Sequence, residues 1–125
     1  MNPIRLLLAD DNADFRSAVL DFVRTQPDLS MVGTAIDSRT ALAKARQLRP
    51  DIVLLDIGMP DLNGLELVRL IGEDMPEARV IMLLPIISAE YADAALSFGA
   101  AGSVSKERLD EDLVPAIAAA ARRSA

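Results

Sequence analysis

Short apolar runs rich in leucine or β-branched residues recur along the chain at Ile4–Ala9, Met31–Ala35, Ile52–Leu55, Val80–Leu84 and, more weakly, Gly102–Ser105. Each has strand length, so the pattern predicts five strands. Between them the period changes to that of a helix. Phe15, Ala18, Val19, Phe22 and Val23 form one stripe, and Leu109, Leu113, Ala116, Ile117 and Ala120 another, spaced as one helix face requires. Pro27, Pro50 and Pro76 each follow a helical run and stop it, while Gly99 stands where a helix end favours a left-handed residue. Helices between every pair of strands imply right-handed crossovers and a parallel sheet covered on both faces. Strands as uniformly apolar as Val53-Leu54-Leu55 suit such a sheet. The prediction is one doubly wound α/β domain, (βα)5, over residues 1–125.

A chain of 125 residues is long enough for one core but leaves no room for a second domain of substance. The apolar stretches are broken by Asp, Gly and Pro, so no membrane span is expected. Met1-Asn2-Pro3 runs straight into the first strand without a basic segment and apolar signal core, which makes a cytoplasmic location the expectation. Cysteine and histidine are both absent. Thiolate chemistry, zinc-thiolate sites and the usual neutral-pH base are therefore excluded, and chemistry must rest on Asp, Glu, Lys, Arg, Ser, Thr or Tyr. A net charge of −6 repels phosphate backbones and argues against direct nucleic-acid binding by this segment.

Polar clusters follow the carboxyl ends of the first, third and fifth strands: Asp10-Asp11, Asp56 and Lys106. Each alone has a plain structural explanation. Asp10 and Asp11 can cap the helix beginning near Asn12 to Asp14, Asp56 can be a loop acid, and Lys106 a solvated surface lysine. Together they occupy the sheet edge where open α/β folds bind ligands. Three carboxylates crowded there repel one another and call for protons or a hard divalent cation. Mg²⁺ suits Asp11, Asp56 and the carbonyl of Gly58, and leaves coordination positions for phosphate oxygens. Asp56 can then attack a phosphoryl group, with the cation and the Lys106 ammonium neutralising its equatorial oxygens. Pro60 and Gly64 read as structural, Pro60 restricting the loop after Asp56 and Gly64 relieving a turn before the third helix.

Leu7-Leu8-Ala9-Asp10-Asp11, the run Pro50-Asp51-Ile52-Val53-Leu54-Leu55-Asp56-Ile57-Gly58-Met59-Pro60, Asn63-Gly64 and Lys106 resemble the signature of bacterial response-regulator receiver domains. Pro27-Asp28-Leu29 through Val32-Gly33 and Phe98-Gly99-Ala100-Ala101-Gly102 extend the likeness over the whole chain, in a pattern similar to receivers that carry a C-terminal helix-turn-helix DNA-binding domain. The resemblance implies a flavodoxin-like parallel sheet in the order 2-1-3-4-5. It implies Asp56 as phosphoacceptor, Asp11 as a direct Mg²⁺ ligand, Asp10 as a water-mediated one and Lys106 as the phosphate-binding lysine. A histidine kinase or phosphotransfer protein would be the donor, since this chain has no histidine. A homodimer is compatible with it, as is a DNA-binding effector outside this chain, toward which Arg122-Arg123-Ser124-Ala125 would serve as a linker.

Three positions depart from that family. Where it carries Thr or Ser at the end of the fourth strand stands Leu84, which cannot donate to a phosphoryl group; the next, usually small, position is Pro85; and the aromatic switch residue of the fifth strand is Ser103. The loop Leu84-Pro85-Ile86-Ile87 is unusually apolar. Either Ile86 or Ile87 packs back on the fourth helix, or the loop is a partner-binding patch. Gly58 and Ile86 offer no polar side chain to orient an attacking water, so slow autodephosphorylation is expected. The chief alternative is a degenerate receiver acting as a constitutive interaction or dimerisation module. A haloacid-dehalogenase-like phosphatase ranks last, because the second acid such an enzyme needs is replaced by Gly58. A nucleotide-binding flavodoxin-like domain lacks its glycine-rich phosphate loop.

Overall fold

A computed structural model describes residues 2–59, 61 and 63–123, the last two of them by backbone alone. Pro60, Ser124 and Ala125, to which the sequence assigns a loop and a linker role, lie outside the described residues.

The elements alternate as the periodicity predicts: β1 (Ile4–Ala9), α1 (Ala13–Arg24), β2 (Leu29–Ala35), α2 (Ser38–Leu48), β3 (Ile52–Asp56), α3 (Gly64–Asp74), β4 (Arg79–Leu84), α4 (Ala89–Phe98), β5 (Gly102–Ser105), a 3₁₀ turn (Lys106–Arg108) and α5 (Leu109–Arg123). All pairings are parallel and the sheet order is β2-β1-β3-β4-β5. Three strand boundaries move outward from the apolar runs, β4 by one residue to begin at Arg79 opposite Ile52. β2 begins at Leu29, because Ile4 pairs with it, and β3 continues through Asp56, which stays in register opposite Leu83.

Alternate strand residues feed two cores. Leu7, Val53, Leu55, Val80 and Met82 pack on one face with Ala41 and Ala45 of α2, Leu67, Val68 and Ile71 of α3 and Ala95 of α4. Leu6, Leu8, Ile52, Leu54, Ile81 and Leu83 pack on the other with Val19 and Val23 of α1 and Leu113, Ile117 and Ala120 of α5. Burial on both faces is why the strands lack polar alternation, and each fully buried Leu or Ile contributes about 1.5–3 kcal/mol.

Helix starts are capped by Asn12, Asp37, Asn63 and Ser88, whose side-chain oxygens accept backbone N–H groups of the first turn. Asp10 and Asp11, offered by the sequence as caps of α1, are therefore not its cap; Asn12 is. Gly99 ends α4 with φ 112°, the left-handed conformation expected of it. Gly64 serves a different purpose from the predicted turn. A Cβ there would lie 2.9 Å from the Cα of Ile57 and 3.0 Å from its carbonyl oxygen, so only glycine lets α3 start this close to the chain leaving β3.

Candidate acidic and phosphoryl-accepting site

The chain leaves β1 toward β2 on one side and returns across the sheet to β3 on the other, so β1 and β3 are neighbours at the point where strand order reverses. Asp10 follows β1 directly and Asp56 closes β3, which puts both carboxylates at this crevice. Lys106 follows β5, two strands from β3, and only a long side chain reaches back.

Asp10 is fully buried. Its backbone N–H donates to the Ala35 carbonyl at 3.0 Å and its own carbonyl accepts from Arg16 Nη1 at 2.8 Å. Oδ1 accepts the Asn12 N–H at 2.8 Å. Oδ2 has no hydrogen bond, although Lys106 Nζ stands 2.7 Å away; the distance gives charge attraction without hydrogen-bond alignment. Asp56 is buried too, with Oδ1 accepting the Gly58 N–H at 3.0 Å and Oδ2 lying 3.6 Å from Lys106 Nζ. Asp11 is exposed beside them. Each of the three acids brings a carboxylate oxygen within 4.8 Å of the other two.

Burial pushes the Asp56 carboxyl above the ordinary aspartate range, and the negative charges of Asp10 and Asp11 push the same way. The Gly58 N–H bond and the Lys106 ammonium pull it down without overcoming burial. Three carboxylates face one ammonium, and one of their buried oxygens lacks a hydrogen bond. That donor set, all hard oxygen and net negative, fits a divalent cation of the Mg²⁺ class.

The remaining candidate positions are spread along the crevice toward α4. Leu84 ends β4 and is buried, Pro85 is exposed, and Ser103 on β5 is half-buried, paired with Met82. Leu84, Ile87, Ala89, Ala92 and Ser103 line a shallow groove of about 390 Å³ between α4 and β5. Of the two readings of this loop, packing back on the fourth helix or a partner-binding patch, the exposures of Ile86 and Ile87, 55% and 68%, favour the second. α4 begins immediately after the loop, capped by Ser88.

Two side chains at the site escaped the sequence reading. Phe15, assigned only to the core stripe of α1, has its ring centroid 4.5 Å from Lys106 Nζ. Asp61, in the loop between β3 and α3, accepts the N–H groups of Ser38 and Arg39 at 2.9 and 3.2 Å, tying that loop to the start of α2. These bonds hold its carboxyl below the ordinary range, the Ser38 bond most strongly. Only its place five residues after Asp56 hinted at it.

A buried aspartate ending the middle strand, faced by two acids and a lysine on a 2-1-3-4-5 parallel sheet, defines a receiver-type signalling domain. The chain belongs to the response regulator receiver domain family, whose model matches residues 6–118. It is 34% identical over 122 residues to the uncharacterized transcriptional regulatory protein YxjL of Bacillus subtilis, covering 98% of this chain and 56% of that protein. It is 38% identical over 130 residues to a protein-glutamate methylesterase/protein-glutamine glutaminase of a Nocardioides species, covering 94% of this chain and 36% of that one. Among solved structures, the signal receiver domain of the putative response regulator NarL from Mycobacterium tuberculosis superposes with a TM-score of 0.90 at 26% identity, covering 98% of both chains. The chain thus spans about half the length, or less, of these curated relatives. Among the described residues no helix is long and apolar enough to cross a membrane.

Proposed function

We propose that this receiver is a phospho-accepting switch in which Asp56 takes a phosphoryl group from a histidine kinase or phosphotransfer protein. The observation that carries the reading is the convergence of Asp10, Asp11, Asp56 and Lys106 at one buried sheet edge. The Asp56 carboxylate attacks phosphorus, the bond from phosphorus to the donor nitrogen breaks, and its electron pair leaves with the imidazole of the donor. Lys106 stands 3.6 Å from Asp56 Oδ2, placed to neutralise oxygens of the transferring group. Gly58 N–H holds Oδ1 and orients the carboxylate. Asp10, Asp11, Asp56 and the carbonyl of Gly58 would hold Mg²⁺, which supplies charge neutralisation of the phosphoryl oxygens. The phosphorylated chain would then act through an effector segment outside these residues. Its relatives join similar receivers to different outputs, a transcriptional regulator and a methylesterase.

The test is intact-mass spectrometry after incubation with Mg²⁺ and acetyl phosphate, comparing the parent with Asp56→Asn. One phosphoryl adduct that disappears in the variant is the expected result. No adduct, with a cognate phosphohistidine donor also failing, would favour the second reading, a phosphorylation-independent interaction module. That reading draws on Leu84, buried where a hydroxyl would meet the phosphoryl group, and on Ser103, which leaves the α4 groove unfilled.

A further inference from the structure

Lys106 is held from two sides. Asp10 Oδ2 lies 2.7 Å from its ammonium and Asp56 Oδ2 lies 3.6 Å from it, while the Phe15 ring centroid stands 4.5 Å away. The lysine side chain is only 19% exposed. Phe15 belongs to the first turn of α1, where its backbone N–H is bound at 2.9 Å by the side chain of Asn12, so the ring is fixed through the same cap whose N–H holds Asp10 Oδ1. An ammonium on a four-carbon stem is strongly hydrated and swings readily into water. Asp10 alone would draw it into a closed pair, away from Asp56.

We infer that Phe15 is a positioning residue for Lys106: its ring face attracts the ammonium and keeps it over the crevice, within reach of both carboxylates. The inference rests on the phosphoacceptor reading. The negative face of an aromatic ring attracts a cation within about 6 Å of its centroid, most strongly where water is excluded. The arrangement leaves the charge available to a group arriving at Asp56, because the ring, unlike a third carboxylate, adds no charge to be displaced. Phe15 also walls the cleft of about 230 Å³ between α1 and the start of α5, so its loss would open a solvent path to Lys106.

The decisive comparison is among the parent, Phe15→Leu, Phe15→Tyr and a chain with 3,4,5-trifluorophenylalanine at this position, all full-length. Leucine keeps apolar bulk without a π face, tyrosine keeps the face, and the fluorinated ring keeps the shape while cancelling the quadrupole. Acetyl phosphate incorporation with Mg²⁺, below saturation, is followed by intact mass. The leucine and trifluoro chains are expected to slow by about fivefold while the tyrosine variant keeps the parent rate. A trifluoro chain reacting at the parent rate would overturn the inference, since packing alone would then explain the ring. The Lys106 ε-methylene proton shift is read in parallel. It should lie upfield in the parent and return to its ordinary place in Phe15→Leu, whether or not any phosphoryl group is accepted. An ordinary shift in the parent overturns the inference by itself, and an upfield shift in a parent that takes no phosphoryl group overturns only the phosphoacceptor reading.

Discussion

Replacing Asp56 by Asn should stabilise the metal-free protein. Lys106 Nζ at 3.6 Å from Oδ2 attracts the carboxylate by about 4.6 kcal/mol at an effective dielectric of about 20. A buried Asp10 oxygen within 4.8 Å repels it by about 3.5 kcal/mol on the same scale. Asp11 is exposed, so water screens most of its further repulsion. The pair terms nearly cancel. The Gly58 N–H bond to Oδ1 survives, because the amide oxygen of Asn accepts it equally well. Desolvation therefore decides the sign, and it costs several kcal/mol for an ion buried this deeply before the hydrogen bond offsets part of it. The expected net gain is about 1–2 kcal/mol, or about 4–8 °C in Tm. The sign also follows from titration. Asp56 has its folded-state pKa raised, so its contribution to stability is fully present below the unfolded aspartate range and is lost as pH rises through the folded value. Parent and variant should thus converge in acid and separate toward neutral pH. Mg²⁺ should reverse the order, since at a hundred times its dissociation constant it adds about 2.7 kcal/mol to the parent, more than the gap. The assay is urea and thermal unfolding by circular dichroism at neutral pH, in chelator and then in Mg²⁺. An Asn variant less stable than the parent in chelator would refute this balance of terms.

Gly64→Ala should lose about 2 kcal/mol in urea unfolding, because its Cβ would press on the Ile57 backbone at 2.9 Å, which cannot swing aside as a side chain can. Unchanged stability would show that α3 shifts freely. Asp61→Asn should be less stable than the parent at neutral pH and equal to it in strong acid. The Asp61 pKa is depressed by the Ser38 and Arg39 N–H groups, so its contribution is present above the unfolded aspartate range and lost as pH falls through the folded value; a pH-independent difference would contradict this. Phosphorylated protein, freed of donor by desalting, should keep its adduct through repeated mass measurements, because Gly58 and Ile86 cannot orient a water; disappearance within seconds would refute that.

The fold was legible because each strand is buried on both faces, so its residues form unbroken apolar runs, and because proline and glycine stand at helix ends. The site was legible because Asp10, Asp56 and Lys106 each abut a strand end, where the chain's own topology collects them. What escaped depended on contacts across the fold. Nothing local distinguishes Phe15 from the buried members of its stripe; its ring matters because β5 delivers Lys106 above it. Asp61 accepts N–H groups at the start of α2, a distant segment whose cap is Asp37, so no spacing along the chain reveals it. Gly64 was visible as a glycine, but the need for it comes from Ile57 against the start of α3. Arg49 likewise ends α2 with φ 51°, a left-handed residue without the glycine that would announce it; Arg5 donates to its carbonyl at 2.7 Å and to that of Leu48 at 2.7 Å.

The departures from the family pattern fall on the end of β4, the connection after it and β5. Asp10, Asp11, Asp56 and Lys106 meet where β1, β3 and β5 end, whereas Leu84 and Ser103 face the groove under α4. Among the described residues, Ala95 alone is buried in α4, against Gly64, Leu67, Val68 and Ile71 in α3. A helix with so few buried contacts opens at low free energy and responds to small biases. A ligand shifts such an equilibrium only through contacts that differ between the two states. Leu84 brings no hydroxyl and Ser103 no ring, so neither of these side chains supplies the contact that the family's pattern would place between Asp56 and α4. On the proposed reading, acceptance at Asp56 and the output through α4 are carried by different residues, so substitutions at Leu84 or Ser103 should change the response to acetyl phosphate while leaving the Asp56 adduct in place.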